Sequence, residues 1–158
     1  MSRKGATGAL LDIYEQSIEQ LKELIYDIPD NALTIIIDEE TADENCRSVQ
    51  TILSHVVHAG YGYATSIYDI TGNLINRPGK FFHSTIDEYL QDLDKVFAFT
   101  ETILKETDDA HLEQLDNSMK IKTGWGQVYD IEQLMEHAIV HILRHKRQIE
   151  KIKFFQLN

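Results

Sequence analysis

Four stretches of this sequence repeat their apolar residues at the 3.6-residue period of an α-helix, and both prolines, Pro29 and Pro78, fall between them. The first runs from about Gly8 to Tyr26 on a stripe of Leu10, Leu11, Tyr14, Ile18, Leu21, Leu24 and Ile25, and Asp27-Ile-Pro29 stops it. The second opens at Ser48, a good N-cap, and carries Val49, Ile52, Leu53, Val56, Ala59, Tyr63 and Ile67 to about Asn73. The third begins near Ser84, where Ser84 and Asp87 have the spacing of a capping box, with Ile86, Tyr89, Leu90, Leu93, Val96, Phe97, Ile103 and Leu104 behind it. The fourth starts at Asp130, with Gln133 completing a cap, and runs to about Lys153. Between the third and fourth, Thr107 to Tyr129 is irregular: Asp108 to Leu112 suits a short helical turn and Met119 to Thr123 an extended segment. No strand pattern of comparable strength occurs. The expected fold is all-α, a four-helix bundle with long connections, and residues 1–158 are expected to form one domain.

Charge narrows the partners. The formal net charge is -11, which repels phosphate backbones, so nucleic acid is not an expected partner. Arg144, Lys146, Arg147, Lys151 and Lys153 cluster near the end of the last helix, where cations complement its dipole. No apolar run has the length of a membrane span, so no membrane partner is expected. Cys46 is the only cysteine, which excludes an internal disulfide. The N-terminal residues lack the apolar run of a signal peptide, and the expected location is the cytoplasm.

The chemistry is carried by histidines. His137, His141 and His145 recur every fourth residue of the last helix, so successive rings share a face about 5–6 Å apart. Helical His-x-x-x-His pairs chelate zinc at this spacing. On a wheel of about 100° per residue, Ile131, Leu134, Met135, Ala138, Ile142, Ile149 and Ile152 define the apolar arc. His145 falls inside that arc, His141 at its edge, and His137 farther round toward solvent. Two imidazoles aimed into a core at chelate spacing are costly unless satisfied, and a metal ion satisfies both. One core histidine with a hydrogen-bond partner would be ordinary; a pair at this spacing is harder to account for that way. A third ligand is expected from a neighbouring helix. His55, on the shoulder of the second helix's apolar arc beside the small Ala59, is the best placed, whereas His58 points nearly opposite that arc and is expected to be exposed. His83 and His111 lie outside the periodic stretches. The expected metal ligands are therefore His55, His141 and His145.

Three neutral imidazoles suit divalent transition metals, zinc or nickel first and iron after them, rather than calcium or magnesium. A three-histidine set leaves a coordination position for water or substrate, as in catalytic sites. Trp125, Tyr61, Tyr63 and Arg144 are candidate substrate contacts, although aromatic residues at helical spacing more often pack in a core. Glu136 stands near the ladder without the surroundings expected of a general base.

These residues resemble the DinB/YfiT-like family of metal-dependent four-helix proteins. The resemblance rests on Ser48-Val-Gln-Thr-Ile-Leu-Ser-His55-Val and on His141-Ile-Leu-Arg-His145-Lys-Arg-Gln148-Ile, and helix order and the long third connection extend it over nearly the whole chain. Gly124-Trp125-Gly126 is also similar to family members. The resemblance implies His55, His141 and His145 as a metal triad, in agreement with the wheel. Lys146-Arg147 departs from the family's Arg-Gly at that point. Some relatives are thiol S-transferases that use low-molecular-weight thiols such as bacillithiol. The resemblance thus implies a homodimer and a metal-dependent thiol S-transferase acting on a small-molecule substrate with a low-molecular-weight thiol cosubstrate, while the open coordination position equally allows a hydrolase using metal-bound water. The alternative is a non-catalytic metal-binding module serving a stress response or an interaction.

Overall fold

The computed structural model describes residues 3–157. Four helices, α1 (Gly5–Ile25), α2 (Val49–Asp69), α3 (Ile86–Leu104) and α4 (Ile131–Gln156), form a bundle. Each packs against two others: α1 against α3 and α4, and α2 against the same pair. The apolar stripes read from the sequence meet at the centre, where Tyr14, Leu21, Leu53, Leu93, Leu104 and Ile149 are at most 1% exposed. Among the described residues no helix is long and apolar enough to cross a membrane.

Local sequence sets most helix ends. Ser48 caps α2 by accepting from the Thr51 amide, and Thr51 returns the contact to the Ser48 amide. Asp130 and Gln133 do the same for α4. For α3 the register differs by one from the sequence expectation: Thr85, not Ser84, is the cap, and Glu88, not Asp87, closes the box. The reason is tertiary. Ile86 is 3% exposed, and its amide donates to Asp30 Oδ1 at 2.8 Å, which fixes Ile86 as the first helical residue. The start of α1 lacks a local cap, since Lys4 offers no acceptor. Asp109, from the connection before α4, supplies one instead by accepting from the amides of Ala6 and Thr7 at 2.8 and 2.9 Å.

The irregular connection contains more order than its sequence suggests. Short 3₁₀ turns occupy Asp109–His111 and Asn117–Met119. Two short strands follow, β1 (Ile121–Lys122) and β2 (Val128–Tyr129), paired antiparallel with Ile121 opposite Tyr129. The extended stretch expected at Met119 to Thr123 is thus one arm of a hairpin whose second arm the sequence reading missed. Thr123 and Gln127 close it through Thr123 N–H to Gln127 O at 2.9 Å, and Gly126 at the turn has φ 91°, a conformation other residues rarely adopt. The hairpin holds Trp125 over the seam between α2 and α4.

Candidate metal centre

The seam between α2 and α4 brings together His55, His141 and His145, all three of the residues expected from the sequence to be ligands. One ligand-type nitrogen from each lies within 4.8 Å of the other two. The ring centroids are 4.5 Å apart for His141 and His145, 4.8 Å for His55 and His141, and 5.2 Å for His55 and His145. The i, i+4 repeat sets the first of these separations, and the packing of α2 on α4 sets the others. Burial follows the wheel: His145 is 5% exposed, and His141 and His55 are half-buried.

The surroundings keep these rings neutral. Burial pushes His55 down to about 4 and His141 down to about 3, with positive neighbours adding to the effect. Burial also lowers His145, partly offset by its hydrogen bond to Gln148. Near neutral pH each ring therefore keeps a lone pair. His55 Nε2 and His141 Nε2 face each other at 2.9 Å, an arrangement that needs either one proton or one cation between them. His145 Nδ1 lies 2.9 Å from Gln148 Oε1, an acceptor, so Nδ1 carries the proton and Nε2 is left with its lone pair. Neutral imidazoles with converging lone pairs, one already held in the required tautomer, are the donor set of a divalent transition metal. The geometry fits such an ion.

Gln148 is a residue the sequence reading quoted but gave no role, although its i+3 spacing from His145 was visible. The 3₁₀ turn at Glu44–Cys46 covers the same side of the site. Cys46 Sγ lies 4.0 Å from Gln148 Oε1 and 3.5 Å from Asp43 Oδ2, and burial pushes its thiol up, so it stays protonated. The Asn45 amide holds the Asp43 carboxylate below its usual range, and this charge acts on both His55 and His145.

Other expectations fare differently. His58 is half-buried rather than exposed, and its Nδ1 is buried without a hydrogen-bond partner. The segment from Asn76 to His83 returns across α2 and covers it, which no single-helix wheel can show. His137 stands outside the triad but is not free in solvent: it stacks on Trp125 at 4.7 Å and 18°. His83 lies away from the triad, with Nε2 2.5 Å from Asp92 Oδ2, and His111 is exposed in a 3₁₀ turn. Among the proposed substrate contacts, Tyr61 is buried in the core, Arg144 is exposed, and Tyr63 packs edge-on against His141 at 5.7 Å. Trp125 is 48% exposed. Tyr63 and Trp125 both line a cavity of about 440 Å³ that opens onto His55.

The DinB family model matches residues 1–151 of this sequence. Searches of curated proteins and of solved structures found no match. With the family pattern spread over all four helices of the bundle, the chain belongs to the DinB family.

Proposed function

We propose that this chain is a metal-dependent enzyme in which His55, His141 and His145 hold a divalent transition ion, zinc or nickel before iron, and which transfers a low-molecular-weight thiol to a small electrophile. The observation that carries this reading is the convergence of three neutral imidazoles at the edge of an open cavity large enough for a small molecule. An ion held there supplies Lewis acidity, which lowers the pKa of a thiol or a water and polarises an electrophile.

The chain's own groups have three tasks. Gln148 fixes the tautomer of His145 and so the direction of its free lone pair. Burial of the three rings keeps protons from competing for the same nitrogens. Trp125 stacked on His137, with Tyr63 edge-on to both, forms an aromatic wall beside the triad that excludes water from one side of a bound substrate. Thiol transfer is placed before hydrolysis on the resemblance to thiol S-transferases and on the nucleophile that each reaction needs. A thiol brings its own nucleophile, whereas water activation generally recruits a neighbouring base.

The test is elemental analysis of protein purified without tag or chelator, beside the His55→Ala/His141→Ala/His145→Ala variant, followed by a thiol-transfer screen of the metal-loaded protein. Near-stoichiometric metal that vanishes in the variant, with thiol-dependent turnover, is the expected result. A folded protein that takes up no metal refutes the proposal. Metal without turnover of thiols refutes thiol transfer and leaves hydrolysis or a binding module.

A further inference from the structure

The cavity beside the triad has a charge unlike that of the rest of the molecule. On a chain of net charge -11, its wall carries Arg77 and Lys122 and, among the described residues, one carboxylate, Asp69. Seven of the fifteen lysines and arginines are ion-paired among the described residues, including Arg3 with Asp12, Glu15 and Glu101, Lys22 with Glu19 and Asp94, Lys146 with Glu150, and Lys153 with Asp27. Arg77 and Lys122 have no acidic partner among the described residues. A third cation, Lys80, stands close enough to act on both His55 and His58.

Arg77 has a built seat. It reaches the wall from the connection after α2, and its guanidinium lies over Gly62, where an added Cβ would come within 2.5 Å of Nη1. Gly62 therefore leaves the space the guanidinium fills. Lys122 joins the wall from β1, on the same hairpin that holds Trp125. Two cations from separate connections, both exposed, thus line one cavity, with an aromatic wall of Tyr63 and Trp125, 6.2 Å apart and nearly perpendicular. Unpaired cations beside low-dielectric walls focus a positive potential that a small anion neutralises.

We propose that this cavity seats the anionic group, carboxylate or phosphate, of a small organic substrate, gripped by Arg77 and Lys122 while its body lies against Trp125 and Tyr63. The reacting end then points to His55, His141 and His145. That orientation rests on the metal-site reading above, but the anion seat does not. Arg77 fixes the anionic group through its planar fork, and Lys122 adds a point charge. Specificity follows from this: a neutral analogue of the same shape leaves both cations unanswered.

Trp125 is the only tryptophan, so intrinsic fluorescence reports on the cavity directly. Metal-free protein is titrated with succinate, inorganic phosphate and uncharged succinamide, and zinc uptake is measured separately on each variant. Expected is saturable quenching or enhancement by succinate or phosphate and none by succinamide. Arg77→Gln and Lys122→Gln each weaken binding roughly tenfold, with zinc stoichiometry and helical circular dichroism unchanged. Gly62→Ala, whose methyl meets only the flexible end of Arg77, weakens it in the same way by displacing the guanidinium. Response to succinate alone assigns a carboxylate, and response to phosphate alone a phosphate. Equal response to succinamide, or binding unchanged in the Arg77 and Lys122 variants, overturns the proposal, as does the absence of any saturable response in protein that takes up zinc. Intact succinate binding without zinc uptake sustains the anion seat and defeats the metal reading.

Discussion

The hydrogen bond from His145 Nδ1 to Gln148 Oε1 makes a sharp prediction, because it sits one bond removed from the proposed metal and can be cut without touching a ligand. His145 is 5% exposed, so replacing Gln148 by leucine leaves a buried ring N–H with no acceptor in place of one bonded at 2.9 Å. An unsatisfied buried donor costs about 1–3 kcal/mol, and it frees the ring to rotate or to take the tautomer that places its proton on Nε2. Carried into binding, that is a loss of roughly 10- to 100-fold in metal affinity, the range found when outer partners of ligating histidines are removed. Gln148→Glu works in the opposite direction: a carboxylate accepts the same proton more strongly, makes the ring a better donor, and should hold or raise affinity. Competition with a chromophoric chelator at pH 7.5 measures all three proteins on one scale. Cys46→Ala and His137→Ala serve as controls, since neither is a ligand in this arrangement and neither should shift affinity by more than a few-fold. The Cys46 control also separates loss of the His145 contact from loss of the 4.0 Å sulfur contact that Gln148 makes. Equal zinc affinity in wild type and Gln148→Leu would refute the reasoning, for it would mean that His145 is oriented by something other than its one side-chain partner.

The remaining predictions concern stability and assembly. The metal-free protein should lose stability as pH falls from about 6.5, because the unfolded chain takes up protons that His55, held at about 4, and His141, held at about 3, refuse in the fold. The loss approaches about 1.4 kcal/mol per pH unit for each such histidine until the folded value is reached, and none of it appears above pH 7. Urea denaturation at stepped pH checks this, and a slope between pH 6.5 and 5 no steeper in the wild type than in the triple alanine variant would contradict it. Gly60→Ala should destabilise the bundle by about 1–3 kcal/mol before the gain in helix propensity is counted, because its methyl would lie 2.8 Å from Val96 Cγ2 and 3.1 Å from the Tyr14 hydroxyl, both in the core. A midpoint raised in urea would show that α2 and α3 have room to separate. Light scattering should give twice the 18.2 kDa of one chain if the homodimer implied by the family resemblance forms, and a monomer mass at micromolar concentration would dismiss it.

What could be read from the sequence was whatever depends on one helix at a time. The 3.6-residue period placed all four helices, and the same wheel put His145 inside the core and His141 at its edge, as the structure does. Capping was legible where a single acceptor stood before the helix, at Ser48 and Asp130. It failed at Ser84-Thr85, where two hydroxyls precede two acids and either pair satisfies the spacing; the choice was made by Asp30, from a segment more than fifty residues away in the chain. The connections were the other failure. They have no period, so nothing in them foretold that residues 76–83 would cover His58, that a two-residue ladder would carry Trp125 to His137, or that Arg77 would lie over Gly62.

That division also explains where each part of the candidate site resides. The candidate ligand atoms come from helix interiors, where backbone hydrogen bonds and core packing hold a side chain to within the few tenths of an ångström that coordination demands. Gln148 belongs to the same rigid face, one turn beyond His145. The cations and Trp125 come from connections, whose geometry is set by turn contacts such as Thr123 with Gln127, and their side chains are exposed, so each can be replaced without opening the bundle core. Changing a residue at His55, His141 or His145 should therefore remove the chemistry altogether, whereas changes at Arg77, Lys122 or Trp125 should alter which molecule reaches it. A bundle built this way can keep one reactive centre while its substrate preference is reset in two loops, and the two can be taken apart experimentally because Arg77, Lys122 and Trp125 are exposed side chains outside the bundle core.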